Sequence, residues 1–140
     1  MAELRLNEIA AKVAGRIIQG NPTFVFRRFN IDSRLSEPGE LFFALKARRD
    51  GHDFIPDAAA KGARGAVISR EVQSPGQDFA FIRVEDTAVA LQRLAGSVLA
   101  EHPVKVIGIT GSIGKTTTKE FTAVLLGRKF NVLKSESNYN

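Results

Sequence analysis

Val104-Lys105-Val106-Ile107-Gly108-Ile109-Thr110-Gly111-Ser112-Ile113-Gly114-Lys115-Thr116-Thr117-Thr118 runs from an apolar stretch through a glycine turn into hydroxyl-rich residues. The apolar stretch reads as a strand. The spacing after the turn predicts a helix from about Lys115 to Leu126, closed by Gly127. Asn131-Val132-Leu133 then starts another strand. Strand, glycine loop, helix and strand form the opening of a βαβ unit, which requires a parallel sheet. Gly111 and Gly114 leave backbone N–H groups unobstructed by a Cβ, and these groups favour phosphate oxygens at a helix N-terminus. Lys115 is placed to reach nucleotide phosphates, and Thr116 to offer its hydroxyl to Mg²⁺. The strict motif asks for Gly at position 109, where the chain has Ile109, with Gly108 one place early. The flanking strand and helix supply the context that Gly-Lys-Thr alone lacks. Thr118 is expected to be an ordinary residue of the first helical turn.

Upstream, His102-Pro103 marks a domain boundary, because Pro cannot continue a helix. The helix before it is expected over Glu85 to Ala100, with Leu91, Leu94, Ala95, Val98 and Leu99 as its core face. Earlier still, Leu6, Ile9, Ala10, Val13, Ala14 and Ile17 follow helical spacing, so the chain opens on a helix ended by Gly20-Asn21-Pro22. Thr23 to Ile31 reads as one or two short strands. Glu37-Pro38-Gly39-Glu40 fits a type II turn. Leu41 to Leu45 and Gly65 to Ile68 read as buried strands, and Phe79 to Val84 as a further strand after the Ser74-Pro75-Gly76-Gln77 turn. Between them Asp50-Gly51-His52-Asp53 is a turn whose Asp and His fix its shape. Pro56 opens a short helix in which Asp57 and Lys61 are spaced for an i,i+4 pair.

A length of 140 residues with 44% hydrophobic and 25% charged side chains suits one ordinary domain, or one small domain and part of another. The absence of cysteine excludes a disulfide framework, thiol nucleophiles and Cys-based zinc sites. Two isolated histidines make no metal cluster. No apolar run is long enough to span a bilayer, and the first residues lack the apolar core of a signal peptide. A cytoplasmic protein, expected as a monomer, follows. The net charge of +5 suits an anionic partner. Much of the surplus sits at Arg27, Arg28, Arg34, Lys46, Arg48 and Arg49, readable as a solvated basic face or as a pocket for a phosphorylated ligand. Without Trp, and with a single Tyr, no base-stacking platform for nucleic acid is evident.

Thr110-Gly111-Ser112-Ile113-Gly114-Lys115-Thr116-Thr117-Thr118-Lys119-Glu120 resembles the ATP loop of the Mur ligases of peptidoglycan synthesis. Asp32-Ser33-Arg34, Pro38-Gly39-Glu40-Leu41-Phe42-Phe43-Ala44-Leu45-Lys46, Asp50-Gly51-His52-Asp53-Phe54-Ile55 and Ala59-Ala60-Lys61-Gly62-Ala63 resemble that family's N-terminal uridine-nucleotide domain. The fold implied is α/β. A small mixed-sheet N-terminal domain binding a UDP-sugar-peptide, residues 1–102, is followed by the first strand-loop-helix-strand of a P-loop parallel-sheet domain, residues 103–140. The segment Leu45-Lys46-Ala47-Arg48-Arg49 is one residue shorter than the family's usual form. Ile113 stands where the family often has a polar residue.

The resemblance implies ATP and Mg²⁺ as cofactors. Gly111, Ser112, Ile113, Gly114, Lys115, Thr116 and Thr117 would hold the ATP phosphates, with Lys115 catalytic and Thr116 on Mg²⁺. Ser33, Arg34 and Lys46 would contact the uridine nucleotide, although Asp32 and Arg34 read equally as a local ion pair. Asn138 and Asn140 match a segment near the substrate. Thr-Lys-Glu after the loop and the Asn138-Tyr139-Asn140 segment point to the member that joins D-alanyl-D-alanine to UDP-N-acetylmuramoyl-tripeptide through an acyl phosphate. The rival is the member adding the third amino acid. The family's remaining metal ligands and third domain have no counterpart in these residues, so the 140-residue chain alone is expected to be inactive. A non-catalytic UDP-sugar or nucleotide-binding module is the alternative. Residues 31–55 argue against a folylpolyglutamate-type ligase, which lacks such an N-terminal domain.

Overall fold

The structure is a computed structural model and describes residues 3–135. The chain divides into two compact units, Met1–Pro103 and Val104–Asn140.

In the first unit, β1 (Leu4–Arg5) leads directly into helix α1 (Leu6–Lys12), followed by β2 (Arg16–Gln19), β3 (Val25–Phe26) and β4 (Phe29–Asn30). Then come β5 (Leu41–Phe43), helix α2 (Ile55–Ala60), β6 (Gly65–Ile68), β7 (Ala80–Arg83) and helix α3 (Thr87–Ala100). Strands β4, β5, β6 and β7 are mutually parallel, and β2 joins the β7 edge antiparallel, giving the order β2-β7-β6-β5-β4. β1 and β3 form a separate antiparallel ribbon. The mixed sheet expected of the first domain is therefore present.

Successive side chains of a strand point to opposite faces, so neighbouring residues enter different cores. On one face Phe43, Leu41, Val67 and Ile82 pack with Leu6, Ile9 and Val13 of α1 and with Ala90 and Leu94 of α3. On the other, Phe42, Ala44, Ala66, Ile68 and Phe81 pack with Ile55 and Ala58 of α2. Three layers result, with the sheet in the middle. Asp86 caps α3 by accepting the Ala88 and Val89 amides at 2.7 and 3.0 Å. A buried Thr87 hydroxyl donates to the Ala44 carbonyl at 2.9 Å, fastening the start of α3 to the end of β5.

Three expectations need correction. The opening helix stops at Lys12, and Ile17 lies on β2. Ala14 at φ 53° turns the chain, and pairing with β7 overrides the helical spacing. Lys61 forms no ion pair with Asp57. Its ammonium donates instead to the Ser33 and Arg34 carbonyls at 3.1 and 2.9 Å. On α3 only Leu94 of the expected core face is buried. Leu91 and Val98 are half-buried and Ala95 and Leu99 exposed, because the helix lies along an apolar groove beside Phe29 of the edge strand β4.

In the second unit, helix α4 (Lys115–Gly127) follows the glycine turn as expected. Val104–Ile109 and Asn131–Leu133 have no ladder partner among the described residues and form no strands there. Strand sequences become strands only when a neighbour supplies the other half of each hydrogen bond. Phe121, Val124 and Leu125 of α4 are exposed.

Candidate functional site

Two places carry the chemistry expected from the sequence. The first is the turn before α4. Gly111 has φ 150° and Gly114 has φ 80°, and Gly114 caps the helix. Neither value suits a residue with a Cβ, so these two positions are glycine by necessity. Lys115, the first helical residue, folds back across the turn, and its Nζ donates to the Gly111 carbonyl at 2.7 Å. One ammonium and the positive end of a 13-residue helix thus meet at one glycine loop. Ile113 is 92% exposed, so its apolar side chain fills no part of the turn. Ser112, Thr116 and Thr117 are exposed beside it. Among the described residues there is no group of three Asp, Glu or His able to hold a metal ion.

The second place is the carboxyl edge of the parallel strands, where open α/β sheets bind ligands. Asp32-Ser33-Arg34 follows β4, Lys46 to Asp53 follows β5, and Ser69-Arg70 follows β6. Arg34 grips Asp32 with two guanidinium nitrogens, Nε to Oδ1 at 2.9 Å and Nη2 to Oδ2 at 2.6 Å. That fork, outweighing partial burial, holds the Asp32 carboxyl at about 2 against an ordinary 3.8. Arg34 forms the local ion pair of the sequence reading, and its side chain is exposed. Ser33 is 7% exposed, and among the described residues its hydroxyl has no hydrogen-bond partner. Lys46 is exposed and bridges to Asp50 through the backbone. Asn138 and Asn140 lie outside the described residues.

Asp50 organises the turn after β5. It accepts the His52 amide at 3.0 Å, the His52 Nδ1–H, and Arg70 Nε at 3.0 Å. The buried His52 ring accepts the Ser69 amide at Nε2, 2.9 Å away, so its proton sits on Nδ1. The expected turn-fixing role of Asp50 and His52 is what the geometry displays. Burial raises the Asp50 carboxyl, but the His52 amide, the His52 ring and Arg70 outweigh it and hold the group well below its ordinary value. Sequence spacing missed Arg70, which also holds Asp53 at 2.6 Å, and missed Lys61. Both act on partners 17 to 28 residues away, a separation at which no local pattern speaks.

A pH dependence follows. Depressed carboxylates contribute stability that is fully present above their unfolded pKa and lost as pH falls through the folded one. The melting temperature should therefore drop as pH falls from about 4 towards 2, and Asp50 should still contribute at the acid end. Asp50→Asn should be less stable than the parent at pH 6, with a deficit that narrows below pH 4. A constant deficit across that window in thermal melts would exclude the charge as the cause.

Comparison with known proteins places these features. The family model described as "Mur ligase family, catalytic domain" matches residues 26–98. UDP-N-acetylmuramoyl-tripeptide--D-alanyl-D-alanine ligase of Bacillus subtilis (strain 168) is 38% identical over 144 residues, covering 100% of this chain and 31% of that protein. A crystal structure of MurF from Acinetobacter baumannii superposes with a TM-score of 0.87 at 31% identity, over 100% of this chain and 31% of that one. The MurF ligase from Thermotoga maritima in complex with ADP gives a TM-score of 0.68 at 38% identity, over 81% of this chain and 26% of that one. The chain spans about a quarter to a third of the length of the curated relatives it matches, from 22% to 32%. No helix among the described residues is long and apolar enough to cross a membrane.

Proposed function

The chain belongs to the Mur ligase family, and from that premise we propose that it is the substrate-binding and phosphate-loop part of a cytoplasmic ATP-dependent amide ligase. Its reaction joins D-alanyl-D-alanine to UDP-N-acetylmuramoyl-tripeptide. The observation that carries this reading is the turn Thr110–Thr116, whose lysine arches back to Gly111 ahead of a long helix, in a chain that also bears Asp32-Ser33-Arg34 at a sheet's carboxyl edge.

In the complete enzyme the peptide carboxylate attacks the γ-phosphorus of ATP and ADP leaves. The resulting acyl phosphate is attacked by the amine of D-alanyl-D-alanine, forming the amide and releasing phosphate and a proton. A free carboxylate acylates poorly because oxide is its leaving group, and phosphorylation supplies a better one. Such a transfer needs alignment and charge neutralisation more than a protein nucleophile. The amides around Gly111, Ser112, Ile113 and Gly114 cradle phosphate oxygens, and Lys115 moves from the Gly111 carbonyl to the transferring phosphate. Thr117 lies in the first turn beside them. Thr116 offers one hard oxygen that suits Mg²⁺, an ion usually bound by few protein ligands together with phosphates and water. When bound, that ion neutralises phosphate charge.

At the other place, the Ser33 hydroxyl is the donor for the uridine nucleotide, flanked by Arg34 and Lys46. The residues up to 102 form the nucleotide-sugar domain, and those from 103 open the ATP domain. Calorimetry on the 140-residue chain tests this. UDP-N-acetylmuramoyl-tripeptide should bind measurably and lose about tenfold in affinity in Ser33→Ala, with ATP–Mg²⁺ binding more weakly. No heat from the uridine ligand at millimolar concentration would defeat the reading. Tighter binding of the corresponding dipeptide precursor would point to the ligase adding the third amino acid.

A further inference from the structure

Arg16 on β2 stands directly opposite Arg83 on β7. Opposed residues of an antiparallel pair project from the same face of the sheet, where like charges repel. Arg27, Arg28, Arg34 and Arg70 of the same unit each hold a carboxylate. Arg16 and Arg83 hold none, and among the described residues neither side chain has a hydrogen-bond or ring partner. Two cations are thus set side by side with no ion pair to either.

They open on a cleft of about 440 Å³ whose other lining residues include Gly15, Ser69 and Glu85. Gly15 packs tightly against β7 at its side: a Cβ there would lie 2.6 Å from Ile82 Cγ2 and 3.0 Å from the Arg83 carbonyl. The cleft lies at the carboxyl edge of β6 and β7, since Ser69 follows Ile68 and Glu85 lies two residues beyond Arg83. The Ser69 hydroxyl lines the same cleft and lies 3.4 Å from His52 Nε2, the atom that accepts the Ser69 amide at 2.9 Å. Glu85 is the one carboxylate in the cleft, so Arg16, Arg83 and Glu85 together leave a single positive charge.

We propose that this cleft binds a phosphate group, separately from the Thr110–Thr116 turn. Two guanidinium forks match a tetrahedral dianion, and its binding removes the repulsion between the arginines. The proposal goes beyond the ligase reading and stands without it. The phosphate is either the free ion or part of a nucleotide.

The test is an amide NMR titration of the 140-residue chain with sodium phosphate, the ionic strength held constant with sodium chloride. Saturable shifts at Arg16, Ser69 and Arg83 are expected, with affinity falling about tenfold in Arg16→Gln or Arg83→Gln and lost in the double variant. Lys129→Gln, far along the sequence on an exposed segment, should leave the shifts unchanged. UDP and ADP form separate arms. Saturation of the same residues at lower concentration by either assigns the site to a nucleotide phosphate, and saturation by inorganic phosphate alone assigns it to the free ion. Thermal melts give a second readout. In phosphate-free buffer Arg16→Gln should melt higher than the parent, and phosphate should raise the melting temperature of the parent but not of the double variant. Shifts that stay linear, that chloride reproduces, or that survive in the double variant would overturn the proposal.

Discussion

Lys115→Ala in a full-length ligase carrying this segment should lower the rate of amide formation about 10³-fold while leaving the melting temperature unchanged. The figure is that for losing one preorganised charge-stabilising group at a reacting centre, about 4 kcal/mol of barrier. The geometry supports both halves of the expectation. Lys115 stands at the first position of α4, and among the described residues its ammonium donates to the Gly111 carbonyl of the turn it spans. It belongs to neither buried hydrophobic cluster, and no residue of α4 is buried. Alanine is also a strong helix former at that position. The loss should fall on kcat, because the phosphoryl group gains charge-neutralising contacts in the transition state that the bound ground state lacks. Lys115→Arg should recover little of the rate, since a planar fork does not reproduce a compact ammonium at a narrow turn. Turnover within tenfold of the parent in Lys115→Ala would remove the phosphate turn from the mechanism.

Phe43→Ala should cost about 3–5 kcal/mol of folding stability, a large part of the ~5–15 kcal/mol typical of a domain. Phe43 is fully buried on β5, within the cluster formed with α1 and α3, and meets the Phe29 ring edge-on at a centroid distance of 6.4 Å. Its removal empties a ring-sized volume against an inner strand, where neighbours on both sides hold the backbone in place and limit collapse. Phe121→Ala is the matching control. That ring is 67% exposed on α4, so its loss should change stability by less than about 0.5 kcal/mol. Urea melts of the two variants measure both values, and a Phe43→Ala midpoint close to that of the parent would mean the core is not built around this ring.

The elements legible in the sequence were those whose signal is local. The Leu41–Phe43 and Gly65–Ile68 runs are apolar without alternation, and both became strands buried on two faces. Pro56 marked a helix start through its fixed φ, which acts within one turn. The glycine turn at 111–114 was readable for the same reason, since two positive φ values demand the same residue type wherever they occur. The opening helix failed at Ile17 because its apolar spacing serves equally for a short helix followed by a strand, and β7 arbitrates between them.

The residue types of the turn and of Asp32-Ser33-Arg34, and the order of strands and helices from Leu41 to Ala100, were settled by the linear string. Its local rules relate residues no more than a turn apart. Which side chains meet was settled by the folded chain alone. Lys61 reaching the Ser33 carbonyl, Arg70 gripping Asp50, His52 receiving the Ser69 amide and Arg16 facing Arg83 all join residues separated by 17 to 67 positions. Such meetings depend on strand order and register, which come from burying both faces of the sheet at once and leave no periodic trace in any single segment.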